Sequence, residues 1–171
     1  MENKVYDVVE GLIQKLKATQ EENVEKTARL FADALKNGGM LQAFGSGHSQ
    51  AGASELCFRA GGFIPTKQIK EPASGAYEGI EGVGTAFMKK VDVRPNDVVV
   101  LISNSGRNPL PVEIALAAHE KGAKVVAITS LEASKNLTPK HSCGKNLWQL
   151  ADVVIDNCVM DGDASIDVEG L

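Results

Sequence analysis

The chain has 171 residues, 43% of them hydrophobic and 23% charged, with a formal net charge of -4. These are ordinary proportions for one globular domain with a real core, and the charge has the wrong sign for nonspecific attachment to nucleic acid. No apolar run approaches the roughly 20 residues that span a bilayer, and Met1-Glu2-Asn3-Lys4 lacks the apolar core of a secretory signal, so a cytoplasmic protein without a membrane partner is expected.

Residues 3–37 carry apolar positions at helical spacing. Val5, Val8, Val9, Leu12, Ile13 and Leu16 form one stripe, which Val24, Leu30, Phe31, Ala34 and Leu35 continue. Thr19-Gln20-Glu21-Glu22 has the pattern of a capping box and predicts a break there. Asn37-Gly38-Gly39 predicts the helix stop, and a strand follows over 40–44. After the loop Gly45–Ser49 the pattern predicts a helix from about 50 to 60, ended by Gly61-Gly62. Phe63–Ile69 reads as a second strand, and Pro65 implies an outer position or a strand start.

Residues 71–84 hold five glycines or prolines and little apolar periodicity, which reads as a functional loop with a short helical turn. Arg94–Asp97 turns into a third strand, 98–102. Pro109–Lys121 is an amphipathic helix with prolines tolerated at its start, stopped by Gly122. Lys124–Ile128 is a fourth strand ending in Thr129-Ser130, one or two helical turns lie between 131 and 150, and Val153–Ile155 is a fifth strand. The remainder, 157–171, is acidic and glycine-containing. Cys57, Cys143 and Cys158 are few and widely spaced, so reduced thiols are expected, not a disulfide framework.

Strands three to five are continuously apolar, which indicates a sheet covered on both faces. Alternation of strand and helix predicts a parallel α/β sheet with right-handed crossovers, whose ligands bind at the carboxyl ends of the strands. Two hydroxyl-rich loops fall at those ends: Gly45-Ser46-Gly47-His48-Ser49 and Ser103-Asn104-Ser105-Gly106-Arg107-Asn108. Hydroxyls, glycines and a following helix start make an oxyanion cradle. A single hydroxyl there would be an ordinary helix cap; two such loops in one small domain point to a phosphorylated metabolite.

Ile102–Asn108 and Phe44–Ser49, in these positions, resemble the two phosphosugar loops of the sugar isomerase (SIS) domain family. Glu55–Gly62, Ser105–Pro109 and Ala127–Ser130 fit the same group, and the likeness covers roughly residues 3–160. It implies a three-layer αβα sandwich around a five-stranded parallel sheet, and a homodimer or higher homo-oligomer. It further implies a small-molecule phosphosugar ligand; no nucleic acid, membrane, cofactor or metal is expected beside it. Carried over residue by residue, Ser103, Asn104 and Ser105 match the phosphate loop, with Asn108 near its end. Ser46, Gly47 and Ser49 match the first loop, and Thr129 ends a strand at the same rim. Glu55 occupies a helix position near where relatives place a general acid/base. His48 in the first loop is a second candidate, since imidazole moves protons near neutral pH. One departure stands out. SIS enzymes usually continue past the fifth strand with another helix that supplies a catalytic residue, and 157–171 carries no such pattern.

Other titratable groups carry less. Arg107 adds charge to a phosphate or faces solvent, and Glu71, Glu78 and Glu81 form a second source of an acid or base, or a solvated loop face. His119 reads as a favourable charge at a helix end. His141 with Cys143 lacks the matching pair a metal site needs, and Asp161 with Asp163 is only a fragment of a calcium loop. The reading is therefore a phosphosugar isomerase working through an enediol, with elimination on a phosphosugar as related chemistry. The alternatives are a noncatalytic phosphosugar sensor and, more weakly, a dinucleotide-binding domain. The last fails at Gln50, which stands where the third glycine of Gly-x-Gly-x-x-Gly belongs.

Overall fold

The computed structural model describes residues 4–162 and 164–166. Five strands, β1 (Leu41–Gly45), β2 (Thr66–Gln68), β3 (Val98–Ile102), β4 (Lys124–Thr129) and β5 (Val153–Asp156), form one sheet in the order β2-β1-β3-β4-β5. Every pairing is parallel. The helices are α1 (Lys4–Lys36), α2 (Gln50–Phe58), α3 (Val83–Met88), α4 (Pro109–Glu120) and α5 (Leu131–Asn136), with 3₁₀ turns at Gly47–Ser49 and Leu147–Gln149.

Strand periodicity divides the core in two. On one face Val99, Leu101, Val125 and Ala127 pack with Phe44 against Met88 of α3 and Leu110 and Ile114 of α4. On the other, Leu41, Ala43, Val98, Val100 and Val126 pack against Ala34 of α1 and Ala53 and Cys57 of α2. Alternate residues of one strand thus enter opposite layers. That is why β3 is apolar at every position: both of its faces are covered.

Three expectations need correction. α1 runs unbroken through Thr19–Glu22. The Thr19 hydroxyl does not cap a helix start; it donates to the Lys15 carbonyl at 2.8 Å, back along the same helix. Strand two is shorter than 63–69, because Phe63 and Ile64 are exposed and pairing begins only after Pro65, whose carbonyl accepts the Leu41 N–H. The short helical turn expected within 71–84 is not a separate element; the helix there, α3, begins only at Val83 and runs past the loop to Met88. Asp163 lies outside the described residues. Among the described residues, no helix is long and apolar enough to cross a membrane.

The order places a topological switch between β1 and β3. From β1 the chain steps outward to β2, then returns to the opposite side of β1 to form β3. The loops leaving the carboxyl ends of β1 and β3 therefore diverge, and a crevice opens between them.

Candidate functional site

A cleft of about 420 Å³ occupies that crevice. Ser46, Gly47, His48 and Ser49 line it from the loop after β1, and Ser103, Asn104, Ser105 and Asn108 from the loop after β3. Phe44, Ile102 and Pro111 supply its apolar wall. Eight of the ten site residues picked from the sequence thus share one cavity.

The second loop is built tightly. Ser103 Oγ accepts the Gly106 N–H at 3.2 Å, closing the turn. Gly106 has φ +58°, and a Cβ there would sit 3.0 Å from Ser134 Oγ and 3.2 Å from Thr129 Oγ1, so only glycine fits. Thr129 is fully buried and does not line the cleft; its hydroxyl donates to the Asn104 carbonyl at 2.8 Å, supporting the loop from behind. Asn157, just after β5, donates its side-chain N–H to Asn104 Oδ1 at 2.7 Å.

The start of α4 departs from a simple helix-terminus site. Pro109 and Pro111 have no N–H, and the Leu110 N–H is already taken by the Glu78 carbonyl at 3.1 Å. An anion there would instead meet the loop itself. The backbone N–H groups of Ser105, Arg107 and Asn108 make no hydrogen bond among the described residues, and neither do those of Gly47 and His48 across the cleft. With the serine hydroxyls they form a cradle of neutral donors.

A model of the SIS domain matches residues 5–130, which include both loops. The chain belongs to the SIS domain family. UPF0309 protein lmo0025 of Listeria monocytogenes is 47% identical over 166 residues, covering 97% of this chain and 71% of that protein. UPF0309 protein GK1441 of Geobacillus kaustophilus is 39% identical over 173 residues, 96% and 69% of the two chains. Among solved structures, phosphoheptose isomerase GmhA from Neisseria gonorrhoeae superposes with a TM-score of 0.65 at 22% identity, over 91% of this chain and 85% of that one. The sugar isomerase domain of an RpiR transcription factor from Sphaerobacter thermophilus gives a TM-score of 0.53 at 21% identity, over 89% and 72%. These two likenesses establish the shared SIS fold.

Glu55 is not among the residues lining the cleft of this SIS domain. It sits on α2 between buried Ala53 and Cys57, which turns it to the outer face, where it pairs with Arg59. The 71–82 segment supplies what the serine loops lack: Ser74, Gly75 and Glu78 line the cleft. Ser74 and Gly75 were not picked from the sequence. Only the pairing of β2 with β1 marks them, by setting these small residues just past the carboxyl end of β2 beside the β1 loop. Gly75, at φ +90°, lies so close to the first cradle that a Cβ would meet Ser46 Oγ at 2.5 Å. Ser46 Oγ is itself buried without a partner.

A carboxylate–imidazole cluster clasps this segment. Glu113 of α4 is 2% exposed. It accepts the Gly82 N–H and, at 2.9 Å, the Thr85 N–H, and so fixes the start of α3. His141 Nδ1 accepts the Cys143 N–H, which leaves Nε2 as the protonated nitrogen, 3.5 Å from Glu81 Oε1 and 3.5 Å from Glu113 Oε1. Ser142 donates to Glu81 from both its hydroxyl and its N–H, and these bonds hold the Glu81 carboxyl below the usual carboxylate range. His119 lies apart, its Nε2–H donating to the Leu150 carbonyl at 2.8 Å. Among the described residues no group of three His, Cys, Asp or Glu side chains is arranged to hold a metal ion.

Proposed function

We propose that this SIS domain binds a phosphosugar in the cleft and interconverts its aldose and ketose forms through an enediol. The observation that carries this reading is the meeting of two serine loops, with unpaired backbone N–H groups on both, at the switch point of a parallel sheet. The phosphate is a handle: bound by Ser103, Asn104, Ser105 and the facing Ser46, Gly47 and Ser49, it fixes the sugar so that proton transfer becomes an oriented, unimolecular step. His48 lines the same cleft and is the side chain we assign to carry the proton between adjacent carbons. Glu55 takes part only if an assembly brings a second chain's sugar to the outer face of α2. The phosphoheptose isomerase GmhA, of the same fold, supports the isomerase reading. Assembly as a two-fold homodimer belongs to the same proposal, since Val5, Val9, Ile13 and Val24 stand half-exposed along α1.

The test is a panel of aldose and ketose phosphates in D₂O, followed by NMR. An enediol route exchanges the proton on the carbon beside the carbonyl with solvent. Ser103→Ala with Ser105→Ala weakens binding by about tenfold or more for each lost charged hydrogen bond, roughly 1.5–3 kcal/mol each. Binding with neither turnover nor exchange anywhere in the panel would make the protein a sensor. Unchanged affinity in the double variant would take these serines out of the phosphate site.

A further inference from the structure

Interconverting an aldose and a ketose moves two protons. One leaves C2 and returns to C1, and His48 is assigned to it. The other leaves the C2 hydroxyl and ends on the C1 oxygen, and it needs a carrier of its own. Among the described residues lining the cleft, His48 and Glu78 are the two that titrate.

The neighbouring carboxylates are occupied. Glu71 accepts the Ala73 and Gly75 N–H groups, one on each oxygen. Glu81 holds the Ser142 hydroxyl and N–H, and Glu113 the Gly82 and Thr85 N–H groups. Glu78 differs. Asn108 Nδ2 donates to its Oε1 at 2.6 Å, which anchors that oxygen. Its Oε2 takes no hydrogen bond among the described residues and, unlike Asn108 Oδ1, is not buried. The backbone is pinned as well: the Glu78 N–H donates to the Gly75 carbonyl, and the Glu78 carbonyl accepts the Leu110 N–H, both at 3.1 Å. Gly75 abuts Ser46 of the first loop, and Asn108 ends the second. The carboxylate is thus fixed on the wall that joins the two loops, with one oxygen held and one open.

We propose that Glu78 is a catalytic residue that relays the hydroxyl proton between the two oxygens of the sugar. His48 takes the C2 proton; the C–H pair becomes the C1–C2 double bond, and the carbonyl pair moves onto O1. The Glu78 carboxylate takes the proton from O2, leaving the O–H pair there, and delivers it to O1. O2 closes to a carbonyl as His48 returns its proton to C1. Glu78 begins and ends ionised, and no other reactant is consumed. This inference rests on the isomerase reading above.

The experiment follows aldose phosphates of five, six and seven carbons, ribose 5-phosphate and glucose 6-phosphate among them, by NMR in D₂O with the full chain. Two rates are read: conversion to the ketose, and deuterium entering C2 of the recovered aldose. Exchange needs the carbon proton alone, whereas conversion needs the oxygen proton too. In Glu78→Gln, which keeps shape and the Asn108 contact, conversion falls by about a hundredfold or more while C2 exchange stays within about threefold of native. Unchanged conversion overturns the relay. So does a parallel fall of conversion and exchange, the mark of a side chain that only shapes the cleft. If Glu78→Gln does not fold, Glu78→Asp draws the carboxylate back by one methylene. Conversion relative to exchange should then drop about tenfold or more, and an unchanged ratio overturns the relay. Neither exchange nor conversion of any probe by the native chain overturns the isomerase reading and the relay with it.

Discussion

Glu113→Gln is the sharpest test of how the cleft is held. In the native chain both carboxylate oxygens face backbone donors, Gly82 N–H on Oε1 and Thr85 N–H on Oε2. Glutamine keeps the outline of the side chain but turns one acceptor into an NH₂ group opposed to an N–H. One charge-assisted hydrogen bond is lost, roughly 1.5–3 kcal/mol, and a backbone donor at the start of α3 is left facing an NH₂ group. The sum is about 2–4 kcal/mol, and at roughly 2–4 °C per kcal/mol for a domain of this size the midpoint falls by about 5–15 °C. The loss should be local before it is global. Amide exchange at Gly82 and Thr85 should quicken ahead of the strands, and phosphosugar affinity should fall because Ser74, Gly75 and Glu78 lie on the loosened segment. Scanning calorimetry with hydrogen exchange by NMR measures both. A melting midpoint within about 2 °C of the native protein, with unchanged exchange at those amides, would refute the clasp.

Gly75→Ala forces a left-handed backbone position, φ +90°, onto an L side chain and drives its Cβ to 2.5 Å from Ser46 Oγ. It should cost about 1–3 kcal/mol in a thermal melt and weaken phosphosugar binding, with no effect on either measure counting against the packed loop. Asp152 gives a pH signature. Burial pushes its carboxyl up, but the hydrogen bonds from Lys124 and the Val125 N–H, with the charges of Lys124 and His119, hold it below the usual range. Its stabilisation is complete above the unfolded value near pH 4 and disappears as pH falls through the lower folded value. Melts of Asp152→Asn should therefore lie below those of the native protein near neutral pH and converge with them in acid; parallel curves would be the contrary result.

Much of this architecture could be read from residue order, and the parts that could not have physical reasons. Val98–Ile102, apolar at every position, can only be a strand covered on both faces, and the loop after it must then open at the sheet's ligand-binding rim. Helical phase is where sequence proximity misled. Glu55 lies close to Ser49 along the chain, but the burial of Ala53 and Cys57 sets which face of α2 turns inward, and Glu55 falls on the other. Thr19–Glu22 shows the same limit in local form. A capping pattern names a possible partner for the hydroxyl, while the continuous helix lets it bond to Lys15 instead. The role of Gly75 depends on β2 lying beside β1, a long-range fact that no local signal in 71–84 carries.

The short segment after β5 has a practical meaning for anyone who recombines this domain. Asp156 takes the Leu131 N–H and the Cys158 N–H on one oxygen, its own N–H is held by Gln20 of α1, and Val159 accepts the Ser130 hydroxyl. Asn157 reaches Asn104 itself. A deletion made after Asp156, the last residue of β5, would take the Asn157 bond from Asn104 of the phosphate loop and the Val159 acceptor from Ser130 while leaving the whole sheet in place, and the product would fold yet have a slack binding rim. A reporter or partner domain grafted beyond Met160 keeps them all. The safe boundary for dissection is thus set by four residues of irregular chain, not by the secondary structure that precedes them.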